Sequence, residues 1–140
     1  MISIGLHWRD GLLLASEVLN DDGQKKGVRP LGGGVEFRET WSQALKREFW
    51  EELGIEISIA SNPIVLEDIY VHEGQFGHEI VFAADVEFPD GAFEGQSQIE
   101  FSEDNGVVST ARWFNVDELD DGYLELYPAG LKVMLKARGM

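Results

Sequence analysis

Three glutamates, Glu48, Glu51 and Glu52, lie close together in a segment rich in helix-forming residues. Successive residues lie about 100° apart around a helix, so these side chains share an arc of roughly 100° beside an apolar face. Like charges three and four residues apart repel by roughly 0.2–0.5 kcal/mol per pair. The cluster is therefore either a solvated acidic face or a set of ligands for a cation. The three glutamates alone favour the solvated face.

A run of three glycines, Gly32–Gly34, comes shortly before these glutamates. Glycine permits close backbone approach and unusual φ values, so a loop carbonyl can point at a ligand. Mg²⁺ prefers near-octahedral coordination by oxygen and often shares its coordination sphere with substrate phosphates. A tight connection between a strand and a helix is the other interpretation of the glycines. Next to the acidic cluster, the glycines favour an oxygen-lined metal site.

The element that positions the glutamates is a helix predicted from Thr40 to Leu53. Thr40 and Gln43 fit a capping box, in which each side chain bonds the backbone N–H of the other residue. Gly54 supplies the residue that stops the helix. The expected apolar face comprises Trp41, Leu45, Phe49 and Leu53.

The rest of the chain alternates between strand-like runs and turns. Polar Gly-rich loops are predicted over 72–78 and 95–106, a helical turn over 116–119, and a last helix over 128–137 with Pro128 at its start. Strands are predicted over 2–6, 12–17, 28–31, 55–59, 65–71, 80–86 and 107–114. Because the sequence shows no repeat or linker, we expect one α/β domain spanning residues 1–140.

The charge balance restricts the partners. Eleven Lys and Arg against 26 Asp and Glu give a net charge of −15, which disfavours duplex nucleic acid and anionic membranes. An anionic substrate would therefore need a divalent cation. The chain has no cysteine, which excludes disulfides and thiolate metal sites. Without a long apolar run or a signal-peptide pattern, the expected location is cytoplasmic.

From Gly33 to Ile55 the sequence reads GGVEFRETWSQALKREFWEELGI. It matches every fixed position of G-x5-E-x7-R-E-U-x-E-E-x-G-U, where U is a bulky apolar residue, and so resembles the Nudix box. The segments RPLGGGVEF, GHEIVF, ARWFNVDEL and LYPAGL extend the resemblance over most of the chain. One departure is Arg38, where the family usually has glycine. The matched positions are Gly33, Glu39, Arg47, Glu48, Phe49, Glu51, Glu52, Gly54 and Ile55.

The resemblance implies an α/β/α sandwich with a mixed β-sheet, and hydrolysis of a nucleoside diphosphate linked to another moiety. It implies that Mg²⁺, which Mn²⁺ could replace, is bound by carboxylates and by the Gly32 carbonyl. Glu39 and Arg47 would orient the helix and its carboxylates. The resemblance is also compatible with a homodimer. The implied carboxylate ligands are Glu48, Glu51 and Glu52, with Glu51 and Glu52 the strongest candidates.

The base that takes the proton of the attacking water would lie either in the box or in a later loop. Glu100, Glu103 and Asp104 occupy such a loop, and we prefer Glu103. The substrate is left open among nucleotide sugars such as ADP-ribose, nucleoside triphosphates including oxidised ones, dinucleoside polyphosphates, NADH and capped RNA ends, with a small nucleotide expected. The alternative is a catalytically idle Nudix-like domain that senses nucleotides, against which the intact glutamates argue. Candidate substrate contacts are Arg29, Arg38 and Phe76.

Overall fold

The computed structural model describes residues 1–20, 22–103 and 105–139. Asp104, one of the candidate bases, lies outside these residues. Within them no helix is long and apolar enough to span a membrane. The strands are β1 (Ile2–Leu6), β2 (Trp8–Arg9), β3 (Leu12–Leu19), β4 (Lys25–Arg29), β5 (Gly32–Gly34), β6 (Ser58–Ile59), β7 (Ile64–His72), β8 (Gln75–Glu87), β9 (Gln98–Ser102), β10 (Val108–Phe114) and β11 (Glu125–Leu126). The helices are α1 (Trp41–Leu53), a 3-10 turn (Val116–Glu118) and α2 (Leu131–Ala137).

The described strands form two sheets. The first has the order β5-β1-β8-β6, with β7 also paired to β8. The second has the order β11-β4-β3-β10-β9, with β2 paired to β3. Each sheet is mixed, because β1 runs parallel to β8 and β4 runs parallel to β11 while the other pairs are antiparallel. The predicted mixed α/β architecture is confirmed.

Neighbouring residues of one strand pack in two separate apolar cores. Leu13 packs in a core with Leu131 and Leu135 of α2, whereas its neighbour Leu14 packs in a core with Leu45 and Phe49 of α1. Successive side chains of a strand point to opposite faces, so each sheet can be apolar on both sides. Each fully buried Leu contributes about 1.5–3 kcal/mol. The two helices therefore belong to opposite layers.

Helix α1 begins and ends where its capping residues predict. The Gln43 N–H donates to Thr40 Oγ1 at 3.1 Å, and the Thr40 N–H donates to Gln43 Oε1 at 2.9 Å. Gly54 takes the left-handed conformation, with φ 69°, and its N–H donates to the Trp50 carbonyl. This C-terminal stop fixes the end of the helix one residue after Leu53.

The predicted hairpin loop over 72–78 is wrong in its length. Strand β7 runs to His72 and β8 starts at Gln75, leaving only Glu73 and Gly74 between them. Both residues have positive φ, 53° and 75°, as the tight two-residue turn between twisted strands requires. Gly77 suggested a loop, but it pairs with Tyr70 inside the sheet.

Three other boundaries also differ from prediction. Part of the expected polar loop over 95–106 is β9, in which Ile99 and Phe101 are buried between exposed polar residues. Strand β6 covers only Ser58–Ile59 of the expected strand over 55–59. Helix α2 begins after Gly130, so Pro128 precedes it rather than opening it. Short strands leave weak signals in the sequence, because alternation of polar and apolar residues over a few positions is hard to distinguish from a loop.

Candidate functional site

A cavity of about 250 Å³ lies where β5 meets α1. It gathers residues that are far apart in the sequence, from the glycine run, from α1 and from the segment after β9. Ser16 and Asn105, which the sequence analysis did not select, also line it. The predicted site residues in its wall are Arg29, Gly32, Gly33, Glu48, Glu52 and Glu103.

Glu48 is a buried carboxylate, with 3% of its surface exposed. Its side chain rests against Gly33, where an added Cβ would lie 2.5 Å from Glu48 Oε1. Gly33 itself pairs with Ser3 of β1, so the backbone beneath the carboxylate is held in a sheet. Gly32 likewise has no room for a side chain, because a Cβ there would overlap the Ser3 carbonyl oxygen. The glycines therefore let β5 pack directly against both β1 and the carboxylate.

Arg47 joins the helix carboxylates to the loop before the helix. Its Nε and Nη2 donate to the two oxygens of Glu39, at 2.8 and 3.0 Å. Its Nη1 donates to Glu48 Oε1 at 3.0 Å and to Glu51 Oε2 at 3.2 Å, and Nη2 also donates to the Gly34 carbonyl at 2.9 Å. Paired charge-assisted bonds of this kind are strong and directional.

The titration of these groups follows from the same contacts. The hydrogen bond from Arg47, followed by one from the Glu36 backbone, holds the pKa of Glu39 below its usual value. The Glu39 carboxylate in turn raises the pKa of Arg47, with a further contribution from Glu48. The clamp is therefore an ionic one, with its arginine permanently charged.

Within the described residues, no group of three or more His, Asp or Glu side chains is arranged to hold a metal ion. Glu51 is not among the residues lining the cavity, and one oxygen each of Glu48 and Glu51 is engaged by Arg47. The donor set around the cavity nevertheless consists of carboxylate oxygens beside an open glycine backbone. Such hard oxygen donors suit Mg²⁺ or Mn²⁺ rather than a softer metal.

The remaining predicted residues divide between the cavity and the surface. Glu103 lies just after β9, where the Ser109 hydroxyl donates to its Oε2 at 3.0 Å. Glu100 is exposed on β9, outside the cavity wall. Arg38 is exposed in the loop before α1, with φ 71°. Phe76 is 84% exposed beside the β7–β8 turn.

A second cavity, of about 210 Å³, also has Arg29 in its wall. Asp68, Tyr70, Glu79 and Tyr127 line it, and sequence reasoning selected none of them. Burial, together with the neighbouring Glu79 carboxylate, raises the pKa of Asp68. The Tyr70 hydroxyl donates to Glu79 Oε1, and this bond raises the pKa of Tyr70. The alternation of polar residues in β7 was the available signal, but it does not show that one face borders a cavity.

Comparison with known proteins agrees with this architecture. The solved structures that resemble the chain include the E. coli ORF135 protein, with 24% identity and a TM-score of 0.61 over 97% of this chain and 87% of that one. They also include a NUDIX hydrolase from Nitrosomonas europaea, with 21% identity and a TM-score of 0.51 over 84% of this chain and 72% of that one. A NUDIX-family hydrolase from Clostridium perfringens has 17% identity and a TM-score of 0.56 over 97% of this chain and 92% of that one. At these identities the likeness shows the fold. No curated protein matches the sequence.

The family assignment rests on a separate match. The family model of the NUDIX domain matches residues 5–136, a span that includes α1, the cavity beside it and all strands except the first part of β1. The chain therefore belongs to the NUDIX family of hydrolases.

Proposed function

We propose that the protein hydrolyses the pyrophosphate linkage of a small nucleotide, a nucleoside diphosphate joined to a further group, with the help of a divalent cation. The observation that carries this proposal is the buried Glu48 carboxylate, seated on Gly33 in the wall of a cavity that also contains Glu52. Arg47 holds one oxygen of Glu48, and the carboxylates of Glu48 and Glu52 give the cavity wall the hard oxygen donors that suit a divalent cation. Membership of the Nudix hydrolases supports the same general reaction.

The proposed ligands of the cation are the carboxylates of Glu48, Glu51 and Glu52 and the carbonyl of Gly32. Mg²⁺, or Mn²⁺ in its place, would neutralise phosphate oxygens and lower the pKa of a bound water. Glu39 and Arg47 act as positioning residues, because Arg47 contacts both Glu48 and Glu51. Arg47 engages only Oε2 of Glu51, and the Glu51 side chain is partly exposed, so its carboxylate could still reach a cation.

Three further groups are proposed to act on the substrate. Glu103 takes the proton of the attacking water, because it lines the cavity and its carboxylate is oriented by Ser109. Arg29, at the junction of the two cavities, binds phosphate oxygens. Arg38 and Phe76 are contacts for the outer parts of the substrate, and their exposed positions suit a substrate that extends beyond the cavity.

We further propose that the chain works as one domain in the cytoplasm, alone or as a homodimer. The net charge of −15 repels polyanions, so it supports small nucleotides rather than duplex nucleic acid or anionic membranes as partners. The alternative, an idle domain that only senses nucleotides, would bind the same ligands without turnover. The presence of all three box glutamates, two of which Arg47 holds, favours the enzyme.

The proposal is tested with a panel of nucleoside triphosphates, nucleotide sugars and dinucleoside polyphosphates. Each compound is incubated with the protein in Mg²⁺, in Mn²⁺ and in excess chelator, and the products are separated by chromatography. We expect cleavage of a phosphorus anhydride in at least one class, abolished by chelator. Binding of nucleotide with no turnover under any metal condition would instead establish the sensing alternative.

A further inference from the structure

The second cavity adjoins the first through one shared side chain. Arg29 lines both, while the remaining walls of the second cavity come from β1, β3, β4, β7, β8 and the segment around Tyr127. Burial raises the pKa of Asp68, and the hydrogen bond to Glu79 raises that of Tyr70. The Arg29 guanidinium is near enough to both groups to oppose these shifts. A ligand whose phosphates lie at Arg29 can therefore extend its other end into the second cavity. This step rests on the proposed function.

Two tyrosine rings in this cavity are each seated on a glycine. A Cβ on Gly77 would lie 2.5 Å from Cε2 of Tyr70, its partner across β7 and β8. A Cβ on Gly27 would lie 2.5 Å from Cε2 of Tyr127. Any larger residue at either glycine would displace the ring above it. Rings held in this way provide flat apolar surfaces, which suit a planar ligand ring.

Two carboxylates face the same space. Asp68 and Glu79 are direct partners across the antiparallel pair of β7 and β8, and both line the cavity. Like charges directly opposite in a sheet are destabilising, so this placement opposes folding. Because the hydroxyl of Tyr70 donates to one oxygen of Glu79, the groups that remain at this end are mainly hydrogen-bond acceptors.

Lys26 also lines this cavity. Lys26 Nζ lies 3.0 Å from Nδ1 of His72 and 5.6 Å from the ring centre of Tyr127. The Lys26 ammonium group therefore already has two partners, a lone pair of His72 and the face of the Tyr127 ring. The cavity has a volume of about 210 Å³, and we take this space to be that of one planar ring.

We propose that this cavity holds the base of the nucleotide and that Asp68 and Glu79 select bases bearing an exocyclic amino group. An amino group donates hydrogen bonds to a carboxylate, whereas a ring carbonyl at the same position would place oxygen against oxygen. A hydrogen bond to a charged partner corresponds to a preference of about 10- to 100-fold. Cytosine should therefore be preferred over uracil, and adenine over hypoxanthine, within pairs that are nearly equal in size.

The experiment measures binding of nucleoside monophosphates by calorimetry in chelator, where neither metal nor turnover is needed. CMP is compared with UMP, and AMP with IMP. We expect the amino member of at least one pair to bind about 10-fold or more tightly than its partner. Equal binding within both pairs, or no binding of any of the four, would overturn the proposal.

Variants on β7 and β8 separate a loss of selectivity from a general loss of structure. Asp68→Asn and Glu79→Gln should each reduce the preference to about 3-fold or less, because an amide presents both donor and acceptor atoms. Glu67→Gln is the matched control, since Glu67 lies one residue away on the exposed face of β7 and should leave the preference unchanged. A preference that survives in both Asp68→Asn and Glu79→Gln, with thermal unfolding showing folded protein, would contradict the assignment.

The two proposals fail in different ways. Hydrolysis of nucleotides with no preference for an amino group would leave the proposed function standing and remove the base-selecting role. A preference in binding without hydrolysis under any metal condition would remove the enzymatic function and leave the cavity's role intact.

Discussion

Replacing Gly33 with alanine should disrupt the site, whereas the same change at Gly34 should not. A Cβ on Gly33 would lie 2.5 Å from Glu48 Oε1, but a Cβ on Gly34 would meet nothing within 4 Å. Ordinary carbon–oxygen contacts are well above 3 Å, so the Glu48 carboxylate must shift in the first variant. Two adjacent glycines thus provide a matched pair that differs only in what lies above them.

The magnitude follows from the contacts that Glu48 would lose. Its Oε1 accepts a hydrogen bond from Arg47 at 3.0 Å, and a bond between charged groups contributes about 1.5–3 kcal/mol. Because the carboxylate is only 3% exposed, water cannot replace that partner. We therefore expect Gly33→Ala to lower the free energy of unfolding by about 2–3 kcal/mol. Gly34→Ala should change it by less than about 1 kcal/mol.

Urea unfolding followed by circular dichroism measures both variants, and Mg²⁺-dependent hydrolysis of the best substrate from the panel measures the site. Gly33→Ala should also weaken the dependence of the rate on Mg²⁺, because its displaced carboxylate is a proposed ligand. Equal stability and equal activity of the two variants would refute the argument that Gly33 seats Glu48.

Three further predictions concern other parts of the chain. Arg38→Gly should raise the free energy of unfolding in urea by about 0.5–1 kcal/mol, since Arg38 adopts φ 71° and a left-handed residue other than glycine costs about 1–2 kcal/mol, partly offset by the entropy of glycine; a loss of stability would show that its side chain makes stabilising contacts. Arg47→Lys should lower the same quantity by about 2–4 kcal/mol, because an ammonium group cannot reproduce the forked bonds that leave Glu48 paired; a variant as stable as the parent would contradict the clamp. Burial lowers the pKa of His7 below 6.5, so the stability that this residue contributes is complete above pH 6.5 and is lost as the pH falls from 6.5 towards its folded pKa. His7→Phe, which keeps a ring to stack on Phe88, should remove this part of the pH dependence below pH 6.5, and an unchanged slope in thermal unfolding would show that other groups cause it.

Helix α1 could be predicted to the residue because its signals are local. The capping bonds of Thr40 and the left-handed Gly54 depend on a few consecutive residues, and such interactions are readable from sequence. The same locality explains why the three glutamates and Arg47 could be placed on one short segment. Of these, Glu48 and Glu52 line one cavity with Arg29 and Glu103, and the roles of all of them stay predictions.

Features that depend on pairing between distant segments could not be predicted. Gly77 resembles a loop residue until Tyr70 is seen against it. Strand β9 owes its existence to β10, and its Ile99 and Phe101 are too few to establish an alternation. Asp68 and Glu79 are eleven residues apart and become partners only once the tight turn at Glu73 and Gly74 sets the register.

The central claim is that the α1 carboxylates hold the cation that drives hydrolysis. The most direct test is the rate as a function of Mg²⁺ concentration for the parent, Glu52→Gln and Glu56→Gln, the last being an exposed control just beyond the helix. We predict a loss of about 100-fold or more in Glu52→Gln, since a metal ion supplies several kcal/mol of transition-state stabilisation, with parental behaviour in the control. A folded Glu52→Gln protein with the parental rate and Mg²⁺ midpoint would contradict the account.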